Sequence, residues 1–388
     1  MNKILAENGV KEMVAWEDGL RGTTKDQYET ESVAVNFWET LFWGGIDGLA
    51  DISSDGFDII MANPDYLYFD FPYEVNPEER GYYWAARFNS VYKIFSFAPE
   101  NLAQNAETST DRDGNEMSVT TPSIPMPAIR GMQGNTWSET IRTDDQYYEM
   151  AFPRMLAVAE RAWHRASWEL DWSPGLSFDA TTGLVPKDEL AADFNGFASA
   201  LGCREALKLE KLGIAYRVPP PGASIDASGT LTANSEMPCT AIMYSIDGGN
   251  TWLNYSGPVG VGPNKAVLLQ SVSSLGVFKS RVVATSSAPD DEVESVDVST
   301  AGEVGNVDTS TAGETTDQPP TIDLSPTIES SEGKGNGEES MNGDPSPIDY
   351  GDDLDNYWTT LNSANPFFVG GNVVWFMTWS CLVVTCVL

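Results

Sequence analysis

Four short apolar runs punctuate the first part of the chain, Met13–Trp16, Val33–Trp38, Phe57–Ala62 and Ile129–Trp137, separated by helical or irregular stretches. Strands alternating with such connections predict an α/β architecture. Each run ends in aromatic or polar residues and not in a hairpin turn. That asymmetry is expected of a (β/α) barrel, where the C-terminal strand ends carry the functional site. The stretch 64–128, between the third and fourth runs, is too rich in aromatics to be a linker, and long loops at strand ends are usually functional.

After the fourth run, Asp144 and Asp145 open a helical pattern, placing acidic side chains at the positive end of the helix dipole. Met155, Leu156, Ala159, Ala162 and Trp163 fall on its expected apolar stripe, with Pro153 tolerated only near a first turn or at a kink. A second helical pattern runs from Asp188 to about Leu212 and leads into the rigid RVPPPG. Residues 217–286 then alternate with period two, and YSIDGGNTW offers a hairpin turn at Asp247–Gly249. A small β-sandwich is predicted, short enough at about seventy residues that a strand or two is expected to be missing.

Both patterns stop at 287. Residues 287–356 are dominated by Ser, Thr, Asp, Glu, Gly and Pro with almost no aromatics, and carry a crude repeat of VSTAGE at 298 and TSTAGE at 309. So few apolar side chains cannot bury a core, and a disordered, self-repelling acidic linker is expected. Pro366–Leu388 carries no charge. As a helix it would span about 34 Å, enough for a bilayer core, so 357–388 is read as an apolar candidate membrane segment, with attachment through 367–388.

A chain of 388 residues has room for two or three domains. Its 57 acidic against 22 basic residues give a net charge of −35, which argues against a nucleic-acid partner. Of those acids, 19 lie between Asp290 and Asp355 against one base, Lys334, so about half of the net charge belongs to the linker. The lone histidine, His164, excludes a His-rich metal site and makes a Ser-His-Asp triad unattractive. Cys203 and Cys239 fit no metal spacing, and Cys381 and Cys386 lie in the apolar tail. No cofactor or metal is expected. Tryptophan and tyrosine concentrate in the first 170 residues, which suits a carbohydrate cleft.

The stretch GMQGNTWSE, 131–139, brings Trp137 and Glu139 to the end of the fourth run. Residues two apart on a strand share a face, and an indole beside a carboxylate can cover the apolar face of a pyranose and accept from its hydroxyls. A core tryptophan next to a solvated glutamate is the alternative.

Six fragments in order carry a resemblance: VAWEDGL (14–20), VNFWETLFWGG (35–45), NPDYLYFDFPYEVNPEERGYYWAARF (63–88), FSFAPENLAQNAETSTDRDGN (95–115), GMQGNTWSE and FPRMLAVAERAW (152–163). Together they resemble the second half of the catalytic barrel of family 20 glycoside hydrolases, the β-N-acetylhexosaminidases and chitobiases. The resemblance implies the C-terminal half of a (β/α)8 TIM barrel, strands 5–8, over 1–170, and connecting helices over 171–216. An immunoglobulin-like sandwich over 217–286 would follow. It implies a retaining, substrate-assisted reaction in which the acetamido oxygen of the sugar attacks its own anomeric carbon. Trp16 and Trp38 match the walls of the N-acetyl pocket. Trp137 matches the floor under the sugar, Glu139 an acceptor for its distal hydroxyls, and Trp84 a platform for the next sugar. Tyr68 matches the phenol that steadies the acetamido oxygen, with Tyr66 as the alternative if the register slips by two.

The family's catalytic Asp-Glu pair lies on a strand upstream of VAWEDGL, and Glu17–Asp18 matches a loop pair instead. The sequence is therefore expected to be truncated and inactive as it stands, since losing the general acid alone costs on the order of 10²–10⁴ in rate. A half barrel with open strand edges is not expected to fold by itself into an active enzyme. The implied activity is removal of terminal N-acetylglucosamine from chitobiose-like oligosaccharides, and the alternative is a non-catalytic sugar-binding or cell-surface display protein. An extracellular or secretory/lysosomal-type compartment is expected, and Asn254-Tyr-Ser is a candidate glycosylation acceptor.

Overall fold

A computed structural model describes residues 2–263 and 265–286, and the backbone of 373–378 and 381–387. The expected linker 287–356 lies outside the described residues. Helix α1 (Asn2–Glu7) precedes β1 (Glu12–Trp16) and β2 (Ser32–Phe37), and α2 (Gly45–Ser54) leads to β3 (Asp58–Met61). Two short helices, α3 (Pro64–Leu67) and α4 (Val91–Phe95), and strand β4 (Ser118–Thr120) fill the insertion before β5 (Ile129–Trp137). All four expected strands form, and β1, β2, β3 and β5 lie side by side in parallel.

Parallel pairing puts every strand's C-terminal end, at Trp16, Phe37, Met61 and Trp137, on one edge. The opposite faces are filled by Val33, Val35, Phe37, Ile59, Met61 and Met132, which share one core with Leu49 and Ile52 of α2. β5 carries Gly134 against the ring of Phe69, where a Cβ would stand 2.7 Å from Cζ. A side chain there would push the two chains apart, so the close approach needs glycine.

One helical pattern became two helices, α5 (Asp144–Ala151) and α6 (Arg154–Trp163), separated by a cis Phe152–Pro153 bond. The buried face of α6 also departs from the expected stripe. Leu156, Ala159 and Trp163 are only half-buried, whereas Arg154, Met155, Val158, Arg161 and Ala162 are buried. Two arginines enter the core because aromatic faces and an anion receive them. The Arg154 guanidinium lies 3.5 Å from the Tyr73 ring centroid and donates to Phe71 O at 2.8 Å. Arg161 lies 4.7 Å from the Trp168 ring centroid and is ion-paired with buried Glu169.

Strand β6 (Ser177–Asp179) pairs with β4, and α7 (Lys187–Ala200) continues through a π turn, Leu201–Glu205, into α8 (Ala206–Lys211), as the second helical pattern predicted. The region beyond holds β7 (Gly222–Ile225), β8 (Thr230–Asn234), β9 (Ala241–Ser245), β10 (Leu253–Asn254), β11 (Val259–Gly260), β12 (Ala266–Val272) and β13 (Val283–Ser286). They form a four-stranded sheet, β10-β9-β12-β13, and a three-stranded sheet, β11-β8-β7. Leu231 from one sheet and Val267 and Leu269 from the other share a core. The expected shortage of strands is not seen: strands as short as two residues let seven fit. The hairpin at Asp247–Gly249 joins β9 to β10. Cys203 and Cys239 form a disulfide between the π turn and this region, a pairing no spacing could show.

The apolar tail does not form the helix expected of it. Its described residues are two strands, β14 (Val373–Thr378) and β15 (Cys381–Val387), and β15 pairs antiparallel with β5 from Gly131 to Trp137. Valine, threonine and aromatic residues favour strands, and the edge of β5 offers unpaired N–H and C=O groups. Among the described residues no helix is long and apolar enough to cross a membrane.

Candidate active site

The strand edge that carries the C-terminal ends gathers the aromatic residues singled out in the sequence. Trp16 closes β1, and its ring centroid is 6.2 Å from that of Trp137 at the end of β5. Tyr68 is 5.9 Å from Trp137 and 5.9 Å from Trp84, and Trp84 is 6.4 Å from Trp38. Five residues spread from Trp16 to Trp137 thus form one continuous chain of rings. Trp43, half-exposed and stacked at 6.0 Å on Trp84, extends it outward. Tyr66, the alternative to Tyr68, faces away from these rings and stacks on Phe97 at 4.6 Å in the core.

Each ring is placed by the backbone beneath it. Tyr68 makes a parallel bridge with Asn135, and Phe69 N–H donates to Asn135 O at 2.7 Å, adding a rung between the ends of β3 and β5. Just past β3, Asn63 Nδ2 donates to Glu39 O at 2.6 Å and Leu41 N–H to Asp65 Oδ2 at 3.0 Å, which fixes the loop bearing Trp38 and Trp43. Trp38 is held from the other side as well. Its N–H donates to Glu17 Oε2 at 3.1 Å and its indole N–H to Asp18 Oδ1 at 3.3 Å.

Glu17 is therefore no solvated loop residue. Fully buried, it also accepts from Arg21 Nη2 at 2.7 Å, and Arg21 reaches Glu39 as well. Burial raises the Glu17 carboxyl to about 7, against the pull of Arg21 and the Trp38 N–H, with the Glu39 charge pushing it further up.

Glu139 does not share the strand face of Trp137. β5 ends at Trp137, and Glu139 lies exposed in the following turn, its backbone oxygen accepting from Arg142 Nη1 at 2.8 Å. Its charge nevertheless acts on Asp70, a buried carboxylate that sequence reasoning missed. Asp70 sits in YLYFDFPY two residues past Tyr68, facing the Trp84 indole, where an alternation of aromatics hides the one acid. Burial raises its carboxyl to about 6, the Trp84 indole opposes that shift, and Glu139 adds to it. Asp70 Oδ1 and Trp137 Nε1 are both buried without a protein partner, an acceptor and a donor beside the rings.

Between the ordinary value of 3.8 and about 6, the folded chain holds a proton on Asp70 that the unfolded chain releases. That contribution to stability is complete below pH 3.8 and disappears as pH rises past about 6. Tryptophan emission is expected to titrate with a midpoint near pH 6, because Asp70 faces Trp84, and Asp70→Asn should erase the step. An unchanged titration in that variant would remove Asp70 from the site.

A recess lined by Pro99, Glu100, Ile129, Met132, Arg161 and Glu169 opens at the other end of β5, where barrel strands serve stability and not chemistry. His164 lies away from the rings, beside Glu160 at 2.9 Å. Among the described residues no cluster of metal-ligating side chains forms.

Residues 1–166 match the catalytic domain of glycosyl hydrolase family 20, and residues 205–282 match the chitobiase/β-hexosaminidase C-terminal domain. An N,N'-diacetylchitobiase of Vibrio harveyi is 46% identical over 73% of this chain and 32% of its own length. A β-hexosaminidase of Vibrio vulnificus is 43% identical over 68% of this chain and likewise 32% of its length. The chain thus spans about a third of the length of these relatives. A solved β-N-acetylhexosaminidase of Streptomyces coelicolor overlaps with a TM-score of 0.37 and 22% identity, covering 55% of this chain and 34% of that one, too loosely to carry an assignment. Two regions of the chain, 1–166 and 205–282, thus carry the family 20 catalytic-domain and the chitobiase/β-hexosaminidase C-terminal-domain signatures respectively.

Proposed function

We propose that the chain belongs to an exo-acting β-N-acetylhexosaminidase that releases terminal N-acetylglucosamine from chitobiose-like oligosaccharides by the retaining, substrate-assisted route. The observation that carries this reading is the ring chain Trp16–Trp137–Tyr68–Trp84–Trp38, with Asp70 Oδ1 and Trp137 Nε1 buried and unpartnered beside it. Trp137 offers a flat apolar face to a pyranose, and the two unpaired polar atoms offer what its hydroxyls need. The Tyr68 hydroxyl would donate to the acetamido oxygen as that oxygen attacks, stabilising charge in a site from which water is excluded. The general acid and the residue orienting the acetamide would come from an Asp-Glu pair on the preceding barrel strand. Glu107 and Glu169, buried elsewhere, are committed to backbone and arginine partners.

A second reading has one observation in its favour. Glu17 and Asp18, the acidic pair next to the rings, are occupied in holding Trp38 and Arg21, which suits binding of the sugar without turnover. Titrating N-acetylglucosamine into the chain while following tryptophan emission, and assaying nitrophenol release from an aryl N-acetylglucosaminide by native-length protein that carries the preceding barrel strand, separates the two. Saturable quenching with release supports the hydrolase, quenching alone supports the binding protein, and neither sinks both. A secretory or extracellular location is proposed with it, supported by the Cys203–Cys239 disulfide, since such bonds persist in oxidising compartments.

A further inference from the structure

The two matched domains meet at a charge cluster remote from the rings. Arg217, in the segment entering the β region, donates through Nη2 to Glu74 at 2.7 Å and through Nε to Glu79 at 3.0 Å. Arg281, between β12 and β13, reaches the same two acids: Nη2 to Glu74 at 3.0 Å and Nε to Glu79 at 3.4 Å. Glu74 and Glu79 belong to the catalytic-domain loop that starts at Asp70 and returns to Trp84. The loop is closed at its neck, where Tyr82 N–H donates to Asp70 O at 2.9 Å. Gly81 packs so tightly there, with φ +134, that a Cβ would stand 2.5 Å from Asp70 O. The neck thus ties the 74–79 segment directly to Asp70 and, two residues on, to Trp84 of the ring chain.

We propose that the C-terminal β domain is a positioning part of the sugar site: Arg217 and Arg281 clamp Glu74 and Glu79 and thereby fix the Asp70–Trp84 loop against the barrel. Two guanidiniums on two shared carboxylates define a direction as well as an attraction, because the planar forks are satisfied in one arrangement only. The Arg217–Glu79 pair is shielded, at 15% and 10% side-chain exposure, while Arg281 and Glu74 at 24% and 40% form the wetter side of the cluster, so bulk salt screens its inner half less than a surface pair. Burial acts to raise the Glu79 carboxyl, yet Arg217 and Arg281 outweigh it and hold Glu79 below the ordinary carboxylate range.

The inference rests on the sugar reading for its consequence but not for its test. Hydrogen–deuterium exchange on the full chain, without ligand, is compared for wild type, Arg281→Met and Arg281→Lys. Expected is faster exchange of the 70–84 amides in Arg281→Met, on the order of tenfold, the scale of one charge-assisted hydrogen bond. β2 and β5 should be unchanged, and Arg281→Lys should partly restore protection. No acceleration in 70–84, or an acceleration shared equally by β2 and β5, overturns the proposal. N-acetylglucosamine affinity is then read on the same proteins. A tenfold loss in Arg281→Met is expected, and an undiminished affinity despite a loosened loop overturns the positioning role. A wild type that binds no N-acetylglucosamine would defeat the sugar reading while leaving the exchange result intact.

Discussion

Trp137→Ala is expected to weaken N-acetylglucosamine binding by roughly a hundredfold, the cost of truncating an aromatic anchor at the centre of a site. The ring is the one member of the cluster that touches both Trp16 and Tyr68, at 6.2 and 5.9 Å, so its removal takes away the floor and loosens two neighbours. Trp137→Phe keeps an apolar face and loses the unpartnered indole N–H, and most of the affinity should return. Titration monitored by calorimetry gives both numbers, and circular dichroism checks that the variants remain folded. Wild-type affinity in Trp137→Ala would mean that the cluster is core packing and nothing more.

The largest stability effect is expected far from the rings. Glu169→Leu leaves the Arg161 guanidinium buried without its anion, and breaking one side of such a pair typically costs about 3–5 kcal/mol. For a domain of this size that lowers the melting temperature by roughly 10 °C. The double variant Arg161→Met/Glu169→Leu should recover most of the loss, because the charge that could not be solvated is gone. Thermal unfolding of the three proteins tests this. A single variant within about 0.5 kcal/mol of wild type would show that water reaches Arg161.

The barrel strands were legible because short, largely apolar runs alternate with helical or irregular stretches, and the position of Trp137 at the end of β5 follows directly from the run Ile129–Trp137. Trp16, Trp38, Tyr68 and Trp84 were found through matched fragments, not through periodicity, since a strand-end aromatic looks the same whether it packs or binds. Asp70 was hidden by its aromatic neighbours. Glu17 was read only as half of a loop pair, and nothing in the sequence shows that Arg21 and the Trp38 amide receive it in the interior. Arg154 and Arg161 escaped for the same reason: a helix pattern assigns bases to the solvent face, and only the fold reveals rings waiting beneath them. Pro153, expected near a first turn or at a kink, stands immediately before the first turn of α6 and separates two helices.

The added rung at Tyr68 and Asn135 has a thermodynamic corollary. A phenol carried on an extended, hydrogen-bonded backbone has already surrendered its freedom before any sugar arrives. Association at such a receptor has little ordering to do, so affinity is not diluted by assembling the recess. Encounter and capture should then proceed in a single fast phase, without the slow second step that marks a closing lid.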